Sequence, residues 1–483
     1  MGSVTEAVKG AQIELAAVTG PRAKAIRLLR LTRIFAAELL GSLIIIPYGV
    51  TALRVHRSLQ PRQRSSSKSS VTICRDVPYA TKARTVMDIY IPSQTSYPPT
   101  RTTQQAIQNT AETSGQHASE AGQGAADSKQ LPVALFCHGG VWATGAKWHY
   151  APMAKQLAQA GVLTCVLQYS LYPDALAPQM VDELSQALTW TFNNIAQHGG
   201  NPKQVTLLGH SAGAQMCAMA LLHRAKALSK YKQSHQSSSK SGQGLTQDTQ
   251  LPPHVRMPAK FIGMAGVYDI ETHYQYEYGR GVAELSTMKR AMGGRHKFPT
   301  QSPALILNAA CGGKAQVKLP GLAESPVGSS PGYGGWGGRL AALGRAVQGQ
   351  LPGFMAAPSL TTPNWTASGP PANPPAQAVS APLDPAPAAV EPVMPFTLQE
   401  AGQLPPVTLM SSTADIIVPW QQSEEFHQVL QACSLPTQHH VYHDRSHAGF
   451  VIDWTGPPLD SQEAWQNLSG YKKDLICKIR SPS

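Results

Sequence analysis

Acidic side chains are scarce in this 483-residue chain, where 28 Asp and Glu stand against 40 Lys and Arg and charged residues total only 14%. The basic excess lies in the N-terminus and in polar linkers. No basic face interleaved with aromatics goes with it, which points away from nucleic acid and towards an anionic membrane surface. Cysteine is equally thin. The seven residues, Cys74, Cys137, Cys165, Cys217, Cys311, Cys433 and Cys477, are odd in number and irregular in spacing, and three of them lie in apolar runs. That pattern supports neither a disulfide framework nor a zinc site, and a reducing, cytosol-facing environment fits it best.

Residues 34 to 53, IFAAELLGSLIIIPYGVTAL, form the long apolar run, with Glu38 as its one ionisable group. Twenty such residues suffice to cross a bilayer and are too many for the core of a cleaved signal peptide. The expectation is a basic tail over 1–33, carrying Lys9, Arg22, Lys24, Arg27, Arg30 and Arg33, then one transmembrane helix over 34–54. Arg54, Arg57, Arg62, Arg64 and Lys68 balance the charge on the far side, so the positive-inside rule leaves the orientation open.

A globular domain is expected over 69–483. Its strand-like runs are SVTICRDV, ARTVMDIYIP, VALFCHGGVWATG (133–145), VLTCVLQYS (162–170), QVTLLGH (204–210), AKFIGMAGVYDI (259–270), PVTLMSSTAD (406–415) and HHVYHD (439–444). Helical periods fall between several of them, over 180–196, after Ser211 and over Gln421 to Cys433. Strands alternating with helices predict an α/β fold, with a mostly parallel central sheet and helices on both faces. Three stretches, about 95–130, 229–253 and 311–395, are rich in Gly, Pro, Ala, Ser, Thr or Gln and lack hydrophobic period. They are expected to be disordered insertions, because they cannot bury enough apolar surface to offset the entropy of ordering.

The chemistry centres on Gly209-His210-Ser211-Ala212-Gly213, placed between an apolar strand and an Ala/Met-rich helix. Five letters alone are weak evidence, but strand, sharp turn and helix together make a nucleophile elbow, the mark of an α/β-hydrolase. A serine hydroxyl needs a base to take its proton and a third group to orient that base. In this fold the chain order is Ser, acid, His. Asp415 follows the strand 406–414 and His447 lies in a loop after HHVYHDRS, so both fall at carboxyl ends of strands with Ser211. His427, His439, His440 and His443 compete for the role of base, but read better as packing or surface residues. His138-Gly139-Gly140-Val141-Trp142, directly after a strand, is the expected oxyanion loop. Gly140 and Val141 would donate backbone N–H groups with Ala212, and Gly139 would make the bend. Trp142 could wall the acyl site or sit in the core.

HGGVW, YSLYPD (169–174) and GHSAGA together resemble the hormone-sensitive-lipase-like branch of α/β-hydrolases. Within that branch, TFNNIAQHGGNPKQVTLLGHSAGAQ (191–215) resembles the plant isoprenylcysteine α-carbonyl methylesterases, as do ARTVMDIYIP, FIGMAGVYDIETHYQYEYGRG (261–281) and LPPVTLMSSTADIIVP (404–419). The chain departs from them at His210, where that family usually has Gln, and at HAGF (447–450). The resemblance implies a membrane-bound serine carboxylesterase of the endoplasmic reticulum or Golgi, single-pass, with its catalytic domain facing the cytosol. Its substrates would be prenylated protein C-termini or prenylcysteine methyl esters, converted to the free carboxylate and methanol with no metal or organic cofactor. Another carboxylesterase, a kynurenine-formamidase-like amidase or lipid esterase, and a hydrolase-fold receptor without turnover are the alternatives. The tyrosines from Tyr268 to Tyr278 could line a prenyl channel or form a cap surface.

Overall fold

The computed structural model describes residues 18–61, 70–92, 130–236, 251–313 and 390–481, except 284 and 460, and a few positions between 8 and 16. Among these, β1 (Gln60–Pro61), β2 (Val71–Pro78), β3 (Val86–Pro92), β4 (Leu131–Cys137), β5 (Leu163–Leu167), β6 (Gly200–His210), β7 (Lys260–Met264), β8 (Val407–Ser412) and β9 (Thr437–Tyr442) form one sheet. Its order is β1-β2-β3-β5-β4-β6-β7-β8-β9. β3 runs antiparallel to both β2 and β5, and from β5 to β9 all neighbours are parallel. Apart from the short β1, this is the α/β-hydrolase sheet, and the mostly parallel fold read from the sequence holds.

Central strands of such a sheet are covered on both faces, so they read as unbroken apolar runs. Val133 to Cys137 and all of β5 are buried. On one face lie α3 (Ala177–Asn194), α4 (Ala212–Gln236), α6 (Pro303–Ala310) and α7 (Gln421–Ala432), through Leu184, Leu188, Met216, Leu221, Ile306 and Phe426. The other face holds α2 (Ala151–Gln159) and α8 (Gly470–Arg480), through Leu157, Leu475 and Ile476, with Phe450 and Trp454. Each such fully buried side chain contributes about 1.5 to 3 kcal/mol relative to exposure. Because α2 follows β4 on one face and α3 precedes β6 on the other, the chain changes direction between β4 and β6. A crevice opens beyond their carboxyl ends at such a switch point, and ligands bind there.

The anchor expected over 34–54 does not stand out as a spanning helix among the described residues. That segment belongs to one long helix, α1 (Pro21–Ser58), and among the described residues no helix is long and apolar enough to cross a membrane. The side chains of 33–45 lie outside those described. The last turns of α1 pack on the hydrolase body instead: Ala52 is fully buried, and Tyr48 Oη donates to the His149 carbonyl at 2.5 Å. Further along, His56 Nε2 meets Asp88 Oδ2 at 2.8 Å, and the Arg75 guanidinium donates to the carbonyls of His56 and Leu59 at the helix end.

Residues 93–129, 237–250 and 314–389, which hold most of the three expected insertions, lie outside the described residues. At their margins α4 continues to Gln236, and Val393 and Met394 pack against the core.

Candidate active site

Ser211 stands between β6 and α4 with a backbone φ of 54°. A non-glycine residue in that region is strained by about 1 to 3 kcal/mol, so it persists only where its surroundings enforce it. Here the Ser211 N–H donates to the Met264 carbonyl at the end of β7 at 2.9 Å, and α4 starts at once behind it. The two glycines of the elbow are needed for close approach. A Cβ on Gly209 would come within 2.6 Å of the Ala214 Cα, and one on Gly213 within 2.3 Å of the Cys137 carbonyl oxygen.

Asp415 and His447 meet. His447 Nδ1 lies 2.7 Å from Asp415 Oδ2, and Asp415 Oδ1 accepts the N–H groups of Ile417 at 2.8 Å and Val418 at 3.0 Å. Since a carboxylate only accepts, the neutral imidazole carries its proton on Nδ1 and leaves Nε2 as an acceptor. The loop bearing His447 is tied to the elbow: His210 Nε2 donates to the His447 carbonyl at 2.9 Å, and the two rings lie 4.8 Å apart. Burial first, and the neighbouring His447 next, press the His210 pKa down to about 3, so His210 is neutral beside the base. The sequence flagged His210 only as a departure from the resembling family; its bond to the base spans 237 residues and has no local signal.

The competing histidines are engaged elsewhere. His439 bonds Ser411 and Glu424, His427 bonds Thr437, and His443 bonds Thr413.

Against the elbow runs the His138–Trp142 loop. A Cβ on Gly139 would fall 2.8 Å from both the His210 carbonyl oxygen and the Ser211 Cβ. Gly140 has φ 129°, and Val141 and Trp142 follow at 52° and 56°, a run of positive values that turns the peptide planes. Several contacts hold this turn. Thr287 Oγ1 donates to the Val141 carbonyl at 2.6 Å, and the Tyr172 N–H donates to the Trp142 carbonyl at 2.8 Å. His138 stacks on Tyr150 and Tyr169, and the Tyr169 hydroxyl donates to the His138 carbonyl at 2.7 Å. Trp142 is a core residue, its indole N–H donating to Gln215 at 3.1 Å. Ala212 opens α4, so its N–H is among the helix-start donors that lack an intrahelical partner, at the positive end of the helix dipole. The carboxyl edge of the sheet thus carries the Ser211 hydroxyl, an imidazole whose Nδ1 meets a carboxylate, and a loop of positive φ packed against the elbow.

The tyrosine stretch divides. Tyr268 stacks on Phe426 in the core, Tyr274 is buried against Phe298, and Tyr278 is exposed.

Residues 123–257 match the BD-FAE family, a span that holds the glycine loop and Ser211 but neither Asp415 nor His447. A probable isoprenylcysteine alpha-carbonyl methylesterase of Oryza sativa subsp. japonica is 27% identical over 252 residues, 52% of this chain and 48% of that one. The isoprenylcysteine alpha-carbonyl methylesterase of Arabidopsis thaliana is 29% identical over 189 residues, 39% of this chain and 40% of that one. The chain thus spans less than half the length of these relatives. Among solved structures, esterase B of Lactobacillus rhamnosis overlays with a TM-score of 0.45 at 11% identity, covering 92% of this chain and 94% of that one.

Proposed function

We propose that this protein is a serine carboxylesterase, with Ser211 as nucleophile, His447 as base and Asp415 as its orienting partner, acting on prenylcysteine methyl esters. His447 Nε2 takes the Ser211 proton as Oγ attacks the ester carbonyl. The N–H groups of Gly140, Val141 and Ala212 receive the oxyanion, with Gly139 shaping the loop. His447 then protonates the departing methanol. The same histidine activates the water that hydrolyses the acyl-enzyme, leaving a free carboxylate. The observation that carries the reading is the 2.7 Å bond from His447 Nδ1 to Asp415, at the sheet edge where Ser211 sits strained on its elbow. Similarity to named isoprenylcysteine methylesterases supports the substrate.

Work at a membrane surface goes with this reading, at the endoplasmic reticulum or Golgi as the resemblance implies. Supporting it, Ile26, Leu28 and Leu29 are exposed on α1 beside Arg22, Lys24 and Arg27. A surface of that composition suits anionic lipid, where a prenyl chain partitions.

The test is hydrolysis of farnesylcysteine methyl ester, with and without anionic vesicles, beside a short p-nitrophenyl ester and the Ser211→Ala variant. Prenyl ester should be the better substrate, vesicles should raise its turnover, and Ser211→Ala should lose more than about a thousandfold. Ser211-dependent turnover of the short ester alone would assign another carboxylesterase or amidase. No turnover of any ester would remove the enzymatic reading.

A further inference from the structure

Single apolar side chains scattered over a surface need no explanation, but a group of them around a reactive hydroxyl does. β6, which runs up to Ser211, lies between β4 and β7, with β5 and β8 next outside them. On the loops leaving the carboxyl ends of β4, β5 and β8 stand Val141, Leu176, Ile416 and Ile417, exposed by 40%, 39%, 56% and 38%. They flank the strand of Ser211 from both sides.

Hydrogen bonds fix the backbone that carries them. Ile416 and Ile417 follow Asp415 directly. The Ile417 N–H donates to Asp415 Oδ1 at 2.8 Å, and the Ile416 carbonyl accepts the hydroxyl of Tyr276, on α5 (Ile270–Arg280), at 2.9 Å. Asp415 in turn meets His447 at 2.7 Å, so the turn that holds the carboxylate also holds two isoleucines out in solvent. Across the nucleophile strand, Val141 has a φ of 52°, a costly conformation for a β-branched residue, and Thr287 Oγ1 holds its carbonyl at 2.6 Å. The Leu176 loop is tied to the Val141 loop, where the Tyr172 N–H donates to the Trp142 carbonyl at 2.8 Å. Apolar side chains presented to water on fixed backbone gain nothing until something apolar covers them.

Charge selects the occupant. Residues 140–146, 171–177 and 413–418 contain no lysine or arginine, and Asp174 is exposed among them. An anionic lipid surface would find no opposite charge there, unlike at the basic start of α1. A neutral hydrocarbon chain needs none, and one attached to an ester at Ser211 would lie against these side chains.

We propose that Ile416 and Ile417, with Val141 and Leu176 across the strand, form an apolar rim that holds the hydrocarbon chain of the ester substrate and sets the preference for its length. The proposal deepens the esterase reading and rests on it. Backbone groups of these turns serve the triad while the side chains read the chain, so substitution separates the two roles.

The test measures kcat/KM of the full-length protein on N-acetyl-S-alkylcysteine methyl esters from ethyl to octyl, below their micelle concentrations and without vesicles. Complete burial of a methylene is worth about fourfold, and a chain covered on one face gains about half that free energy, so the value should rise about twofold per methylene, chiefly through KM. In the double variant Ile416→Thr, Ile417→Thr, which keeps the β-branched shape and every backbone bond, the rise should drop below about 1.3-fold per methylene. Leu398→Thr, at a residue 51% exposed on the chain leading into the amino end of β8, should keep the wild-type rise. A double variant with the wild-type rise overturns the rim. Wild-type turnover that is flat with chain length overturns it too, needs no variant, and leaves the esterase standing. Dependence that appears only when vesicles are added also overturns it, because a membrane would then gather the chain. No turnover of any of these esters by the wild type removes the rim and the esterase reading together.

Discussion

At the residue scale, His210 shows how one side chain can matter through its neighbour. Its Nε2–H holds the main-chain carbonyl of His447, and its suppressed basicity keeps a second positive charge away from the imidazolium of the proposed mechanism. Alanine at 210 would release the loop and leave a carbonyl unpaired. We expect His210→Ala to lower kcat by about tenfold with a smaller change in KM, since a lost hydrogen bond is worth about 1 to 1.5 kcal/mol. His210→Gln puts back an amide donor and should restore most of the loss. A His210→Ala enzyme with unchanged kcat would make His210 a packing residue only.

At the element scale, α1 is joined to the sheet through a buried charge cluster rather than through apolar contact alone. Asp88, fully buried on β3, bonds His56 of α1 at 2.8 Å and the buried Lys147 ammonium at 2.7 Å, and it accepts the Asp76 N–H at 2.9 Å. Burial by itself would raise the Asp88 pKa, but the His56 bond and the Lys147 charge outweigh it and hold the carboxyl below its usual range. A carboxylate with a depressed folded-state pKa contributes stability above its unfolded value, about 3.9, and loses it as pH falls through the folded value. Asp88→Asn should therefore cost about 3 kcal/mol near neutral pH and flatten the acid limb of stability, read from urea midpoints across pH 2 to 7. A variant as stable as wild type at neutral pH would rule out the cluster as the clasp of α1. The sequence showed none of this, because Asp88 alternates in a strand as any solvent-facing polar residue would.

At the scale of the whole molecule, strands β1 to β9 and the proposed catalytic residues all lie outside residues 318–387. Joining Val317 to Ala388 by a short Gly/Ser linker should change the melting temperature by no more than about 3 °C, because loop closure depends only weakly on loop length. Esterase efficiency should stay within about twofold of the intact chain. Insoluble or unfolded product would assign the segment a structural role.

By itself the sequence determined the sheet and the elbow that carries Ser211. Unbroken apolar strands, helical periods between them, and paired glycines around Ser211 are local patterns imposed by backbone geometry, so they can be read residue by residue. The meeting of Asp415 with His447 was legible because chain order and strand ends bring those two positions together in this fold. Tertiary structure alone decided what depends on distant contacts. It packed the end of the apolar run on the sheet domain through Tyr48 and Ala52, put Trp142 in the core, and brought His210 under His447. Hydropathy counts what a segment could bury. Only packing selects the surface that buries it, and hydrogen bonds between residues hundreds of positions apart leave no trace in local pattern.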